Sequence, residues 1–196
     1  MLRGNDGQLI FIDDDDRRRF CSYLQKAAEE HRFIIHGFCF MNNHVHLILE
    51  PTSTALSIGI HAFAGKYAQS FNRRHGRRGH LFQDRFRSIL IESDEYLMRV
   101  VRYIHLNPVR ARLVAIPQSY YWSSYCAYLG IDNIGWLTQI RVLRKFGTSY
   151  KEARQALAMY TAKTIDAELD VNVIRESNEI GVFGSKEFIE KVVEQA

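Results

Sequence analysis

His44-Val45-His46 sets two imidazoles two residues apart. In an extended chain alternate side chains share a face, so both rings would stand side by side on one strand. Two neutral ring nitrogens held that way supply most of a divalent-metal site. With 8 His in the chain, chance alone gives about 0.3 such pairs. The plainer alternative is two half-buried histidines bonded to their neighbours. A second constellation lies between Asp94 and Asn107, where Leu97, Val100, Val101 and Ile104 recur with helical spacing. Tyr96, Tyr103 and Asn107 cluster along one edge of that stripe. Tyr103 and Asn107, four residues apart, can point a phenol and an amide oxygen at one spot. A phenol is a weak nucleophile, its ordinary pKa being near ~10. It becomes competent to attack phosphorus when a divalent ion polarises a phosphate and aligns it for in-line displacement. His44, His46 and Asn107 would offer that ion two nitrogens and an oxygen. Tyr67 and Tyr96, also on helical segments, are the rivals to Tyr103.

The elements that must carry these residues are legible from spacing. Asp13 to Asp16 precede a helical pattern through Phe20, Leu24, Ala27, Ala28 and His31, where acidic side chains cap free N–H groups and favour the positive end of the helix. Phe33 to Phe40 reads as a strand, Met41-Asn42-Asn43 as a turn, and His44 to Glu50 as a second strand closed by Pro51. Residues 55–75 read as a long helix ending in Asn72-Arg73-Arg74-His75, followed by the basic loop Gly76-Arg77-Arg78-Gly79. Phe86 to Glu92 reads as a third strand. A helix starts at Ser93-Asp94-Glu95 and runs to about Asn107, where Pro108 ends it and opens another. The order helix, strand, strand, helix, strand, helix implies an α+β fold with an antiparallel sheet covered by helices.

The 196 residues carry a net charge of +4 that is unevenly placed. Residues 66–112 hold 11 Lys/Arg against 4 Asp/Glu, and ten of those 11 cations are Arg, whose planar fork suits phosphate. A basic block in an otherwise near-neutral chain reads as the footprint of a polyanion, the alternative being a solvated face. No apolar run reaches the ~18 residues of a membrane span, and Met1-Leu2-Arg3-Gly4-Asn5 is no signal peptide. Cys21, Cys39 and Cys126 are too few and too scattered for a disulfide framework. An exported or membrane-bound protein is therefore not expected, and the cytoplasm is the default compartment.

Phe40-Met41-Asn42-Asn43-His44-Val45-His46-Leu47-Ile48-Leu49 resembles the histidine–hydrophobic–histidine (HUH) strand of the single-tyrosine (Y1) transposases. Gly79-His80-Leu81-Phe82-Gln83-Asp84-Arg85-Phe86-Arg87-Ser88 and Tyr103-Ile104-His105-Leu106-Asn107-Pro108-Val109-Arg110-Ala111 are similar to motifs of the REP-associated branch of that family. Arg3-Gly4-Asn5, Ile10-Phe11 and Trp122-Ser123-Ser124 fit the same branch, so the likeness spans roughly residues 3–130 in consistent order. The resemblance implies a ferredoxin-like antiparallel sheet with helices and an enzyme that cuts and rejoins single-stranded DNA beside a hairpin. It implies Tyr103 as the nucleophile, forming a 5′-phosphotyrosine link and releasing a 3′-OH. His44 and His46 would be metal ligands, Asn107 would stand at the third ligand position, and the ion would be Mg²⁺ or Mn²⁺. Arg73, Arg74, Arg77, Arg78, Arg85 and Arg87 are the candidates for phosphate contacts. Members of the family carry a further strand before the segment matching Arg3-Gly4-Asn5, so an incomplete sheet edge beside the histidine strand is expected here.

The expected organisation is a catalytic domain over residues 1–130 and a helical C-terminal extension over 131–196. Within the extension, patterns at Trp136 to Phe146 and Tyr150 to Ala162 fit a helix-turn-helix carrying Arg141, Arg144, Lys145 and Lys151, or equally a packed helical hairpin. A short amphipathic helix is expected around Lys186 to Val193. Monomer and homodimer stay open. Besides strand transfer, two further functions fit the residues: a domesticated binder of DNA hairpins without catalysis, and a histidine–metal phosphoesterase indifferent to Tyr103.

Overall fold

The computed structural model describes residues 1–52, 56–163, 174, 177 and 180–194. They form two compact units, Met1–Phe86 with Gly135–Thr138, and Arg87–Ile134 with Gln139–Ala196.

The first unit is a three-stranded antiparallel sheet with two helices. Strands β1 (Leu2–Arg3), β2 (Phe33–Phe40) and β3 (His44–Pro51) lie in the order β1-β3-β2. Phe40 pairs with Val45 and Cys39 with His46, and a bulge at His36 shifts the register between Ile35 and Gly37. On the other side β1 meets β3 at two positions only, Leu2 with Val45 and Arg3 with His44. Helix α1 (Asp14–His31) starts where Asp13 accepts the Asp16 N–H, and stops at Arg32 in the left-handed region. Helix α2 (Leu56–Arg74) packs against α1.

Their shared core is aromatic. Phe20 is fully buried and meets Phe11, Phe40, Phe63 and Tyr67 edge-on at ring separations of 5.0–5.3 Å. Because Phe40 reaches α1 through Phe20, and Val45 sits opposite Phe40, the Phe38–Phe40–Val45 face is the helix-covered one. Alternation then places Arg3, Cys39, His44 and His46 on the other face. Residues 135–138 seal the outer edge of β2: Thr138 N–H donates to the Ile35 carbonyl and Trp136 lies 5.2 Å from the Phe38 ring.

In the second unit helix α3 (Asp94–Arg110) buries Leu97, Val101, Arg102, Ile104 and His105. Helices α4 (Tyr125–Leu129), α5 (Ile140–Leu143) and α6 (Tyr150–Ala162) pack with it, and α6 opens on a reciprocal Ser149/Glu152 capping box. Strand β4 (Leu90–Ile91) pairs in parallel with β5 (Val182–Phe183), and α7 (Lys186–Glu194) follows.

Three expectations are corrected. The strand expected over Phe86 to Glu92 is paired only at Leu90–Ile91; alternating apolar residues supply a face, but not a neighbouring strand. Pro108 does not end its helix. It sits inside the last turn of α3, where a missing N–H costs one bond to the Ile104 carbonyl. Ala111 N–H to Asn107 and Leu113 N–H to Pro108 still close that turn. The helix expected over Trp136 to Phe146 is confined to Ile140–Leu143, because Trp136 to Thr138 are spent on the edge of β2. No helix among the described residues is long and apolar enough to cross a membrane.

Candidate active site

His44 and His46 occupy one face of β3 with ring centroids 5.0 Å apart and planes nearly perpendicular. The rings are close enough for both to reach one ion. His44 carries its own orientation device. The Asn43 side-chain nitrogen donates to the Gly7 carbonyl at 3.2 Å, which turns the Asn43 oxygen toward His44 Nδ1 at 2.7 Å. Only an N–H can face that oxygen, so Nδ1 carries the proton and Nε2 holds the lone pair. Burial, with the positive charges of Arg3 and the chain's amino terminus, lowers the His44 pKa to about 4. The ring is therefore neutral at physiological pH, the form that binds a metal.

No cluster of three His, Cys, Asp or Glu side chains capable of holding a metal exists among the described residues. Two imidazoles alone leave the remaining positions of a bound ion to oxygen donors. With no third thiolate, carboxylate or imidazole grouped beside the pair among the described residues, a hard ion completed by oxygen ligands suits it better than a thiolate zinc site.

Tyr103 and Asn107 lie half-buried on α3, in the second unit. The Asn107 side-chain nitrogen donates to the Tyr103 carbonyl at 3.1 Å. A carbonyl can only accept, so the amide's other end is its oxygen, the atom a cation would use. Arg110 also donates to the Tyr103 carbonyl and lays its guanidinium 4.5 Å above the phenol ring. That clamp fixes the ring and keeps a positive charge beside it. Arg110 was not singled out from sequence; its position two helical turns beyond Tyr103 is the signal that points to it.

The rival tyrosines differ. Tyr67 is 1% exposed, donates its hydroxyl to the Ile10 carbonyl, and has its pKa pushed far up by burial. It is a core residue and not a nucleophile. Tyr96 packs edge-on against Phe183 at 4.8 Å.

The arginines divide by role. Arg74 is bonded to Asp13 at 2.7 Å and to Asp16 at 2.6 Å, so its guanidinium braces α2 against α1. Arg77 donates to Gln8 and lies over Phe71. Arg73, Arg78 and Arg85, in the first unit, and Arg87, in the second, are exposed. In the extension, Arg141 and Lys145 both pair with Asp94, at 3.1 and 2.7 Å.

A family model described as "Transposase IS200 like" matches residues 8–107, about half of the chain. The chain belongs to the IS200-like (Y1) transposase family. It is thereby a transposase whose substrate is DNA, built on the mixed α+β fold of that family. His44, His46, Tyr103 and Asn107 all fall within the matched span, and Arg110 just beyond it. No curated protein and no solved structure matches the chain.

Proposed function

We propose that this transposase cuts and rejoins single-stranded DNA beside a hairpin of the REP type, through a covalent 5′-phosphotyrosine at Tyr103. The observation that carries this reading is the imidazole pair on β3, in a family member whose α3 presents a clamped phenol and an amide oxygen. His44 and His46 would hold Mg²⁺ or Mn²⁺, with Asn107 as the oxygen donor. When bound, such an ion polarises the scissile phosphate and neutralises its charge. The Tyr103 oxygen attacks phosphorus in line, forming the tyrosyl–phosphate bond as the bond from phosphorus to the 3′ oxygen breaks. The phenolic proton leaves to solvent and the departing 3′ oxygen gains one, so the products are a phosphotyrosine and a 3′-OH. The ester conserves the bond energy, and a 3′-OH attacking it reverses the step and rejoins strands. Arg110 holds the ring throughout. Exposed Arg73, Arg78, Arg85 and Arg87 would bind backbone phosphates.

The test is incubation with hairpin-flanked single-stranded DNA and Mn²⁺, followed by denaturing gel analysis. Wild type is expected to give a protein–DNA adduct, and Tyr103→Phe none, at nearly unchanged DNA affinity. His46→Ala is expected to lose both the rate and its metal dependence. Adducts from Tyr103→Phe would reject the nucleophile. Free ends produced equally by both proteins would mark a phosphoesterase, and binding with no adduct from wild type a non-catalytic hairpin binder.

A further inference from the structure

We infer that Asn43 is the positioning residue for the metal-facing nitrogen of His44, acting through a hydrogen-bond relay anchored on the Gly4–Ile10 segment. The inference deepens the reading above and rests on it for the identity of the ion. The relay runs Gly7 carbonyl, Asn43 side-chain nitrogen, Asn43 oxygen, His44 Nδ1–H, at 3.2 and 2.7 Å. Each link has only one chemically allowed polarity. A carbonyl accepts, so the Asn43 nitrogen faces Gly7; the Asn43 oxygen accepts, so His44 Nδ1 carries the proton. The remaining lone pair is on Nε2, at the far side of the ring, and Nε2 has no hydrogen-bond partner among the described residues.

The anchor is rigid. Gly4 N–H donates to the Asn43 carbonyl at 2.8 Å, and the Ile10 and Phe11 amides both donate to the Asn42 carbonyl. Arg17 donates to the Asn42 side chain at 2.7 Å, which leaves Asn43 as the member of the turn directed at the histidine. A Cβ at Gly4 would lie 2.1 Å from the Gln8 carbonyl oxygen, so the tight path of this segment requires glycine there. Its turn ends at Gly7, with φ 71°, where the accepting carbonyl is presented. A sequence-remote loop thus dictates which nitrogen of His44 is a ligand, as outer-shell partners do at metal sites generally.

The first measurement needs neither metal nor a variant. Side-chain ¹⁵N shifts of His44 at pH 7, in the metal-free full chain, are expected to show a protonated Nδ1 and an unprotonated Nε2. An Nε2–H tautomer, or an even mixture, overturns the inference. The second compares Mn²⁺ binding by electron paramagnetic resonance in wild type, Asn43→Asp and Asn43→Ala. Asn43→Asp keeps an acceptor for Nδ1–H but loses the donor to Gly7, so it is expected to hold Mn²⁺ more weakly than wild type and clearly more tightly than Asn43→Ala, which weakens it by about tenfold or more. Equal affinity in wild type and Asn43→Ala, or equal losses in both variants, also overturns it. If wild type shows the Nδ1–H tautomer but binds no Mn²⁺, the relay stands and the metal-dependent reading above fails instead.

Discussion

Acid should unfold the second unit through His105, and the size of the effect follows from the ring's surroundings. His105 is fully buried on α3 between the rings of Tyr125 and Tyr128, at 5.2 and 5.3 Å. Its Nε2 shares a 2.7 Å hydrogen bond with Ser124, and its Nδ1 has no partner. Burial alone lowers its pKa from 6.5 to about 3. The unfolded chain therefore takes up this proton first as pH falls below about 6.5, while the folded chain resists it until about 3. Stability is unaffected above that window, falls through it, and is lower by about 5 kcal/mol once both states are protonated. At pH 5 the loss should already be about 2 kcal/mol.

His105→Gln isolates this contribution, because glutamine retains a hydrogen-bonding end for Ser124 and does not titrate. Urea unfolding followed by circular dichroism at pH 7 and pH 5 is the assay. The variant should start less stable than wild type, yet lose about 2 kcal/mol less between the two pH values. Parallel losses would refute the reasoning, since all other titrating groups are common to both proteins. In wild type the His105 ring proton shifts should also stay flat from pH 7 to pH 5.

Two further expectations concern the first unit. Asp16 is 1% exposed and accepts from the Ile12 amide, Arg74 and His75 at 2.6–3.0 Å. Burial pushes its pKa up, but His75, the Ile12 amide and Arg74 outweigh that and hold it below the ordinary carboxylate value. Its contribution is thus present above that ordinary value and lost as pH falls toward the lower folded one. Asp16→Asn leaves Arg74 and His75 without their anion and should cost about 3 kcal/mol in thermal unfolding, a change below 1 kcal/mol counting against the brace. Arg78→Gln should weaken DNA binding and reduce the slope of log affinity against log salt by about one. Arg74→Gln should instead lower the melting temperature and leave that slope alone, and an equal salt effect from both would contradict the division of roles.

What could be seen in the sequence was whatever depends on period. The two-residue spacing of His44 and His46 in a run read as a strand put both on one face, and strands β2 and β3 fall within a residue of their expected bounds. Helix spacing placed Tyr103 beside Asn107 for the same reason. Contacts between segments far apart in the chain were not legible. The Asn43–His44 bond is adjacent in sequence, but its direction is set by Gly7, 36 residues away. Tyr67 shares the four-residue spacing of Phe63 and Phe71, yet it stood as a rival nucleophile until the packing of Phe11, Phe20 and Phe71 around it made it a core residue. Trp136 to Thr138 carried a helical pattern, yet an open edge on β2 competed for their backbone and won.

Charge shows the same limit most clearly, because a window of sequence is not a surface. Residues 66–112 sum to a strongly basic block, but the arginines in it serve different ends. Arg102 is 3% exposed and stacks 4.0 Å from the Tyr160 ring. Arg110 lies on Tyr103, and Arg74 is neutralised by Asp13 and Asp16 from a run that sequence assigns only to capping α1. Removing those from the account leaves Arg73, Arg78, Arg85, Arg87 and Arg112 exposed, with Arg77 and Arg99 half-buried against aromatic rings. A polyanion responds to that remainder and not to the total, since counterion release scales with cations that reach phosphate. The salt dependence of DNA binding should therefore follow about five arginines rather than the ten in the window.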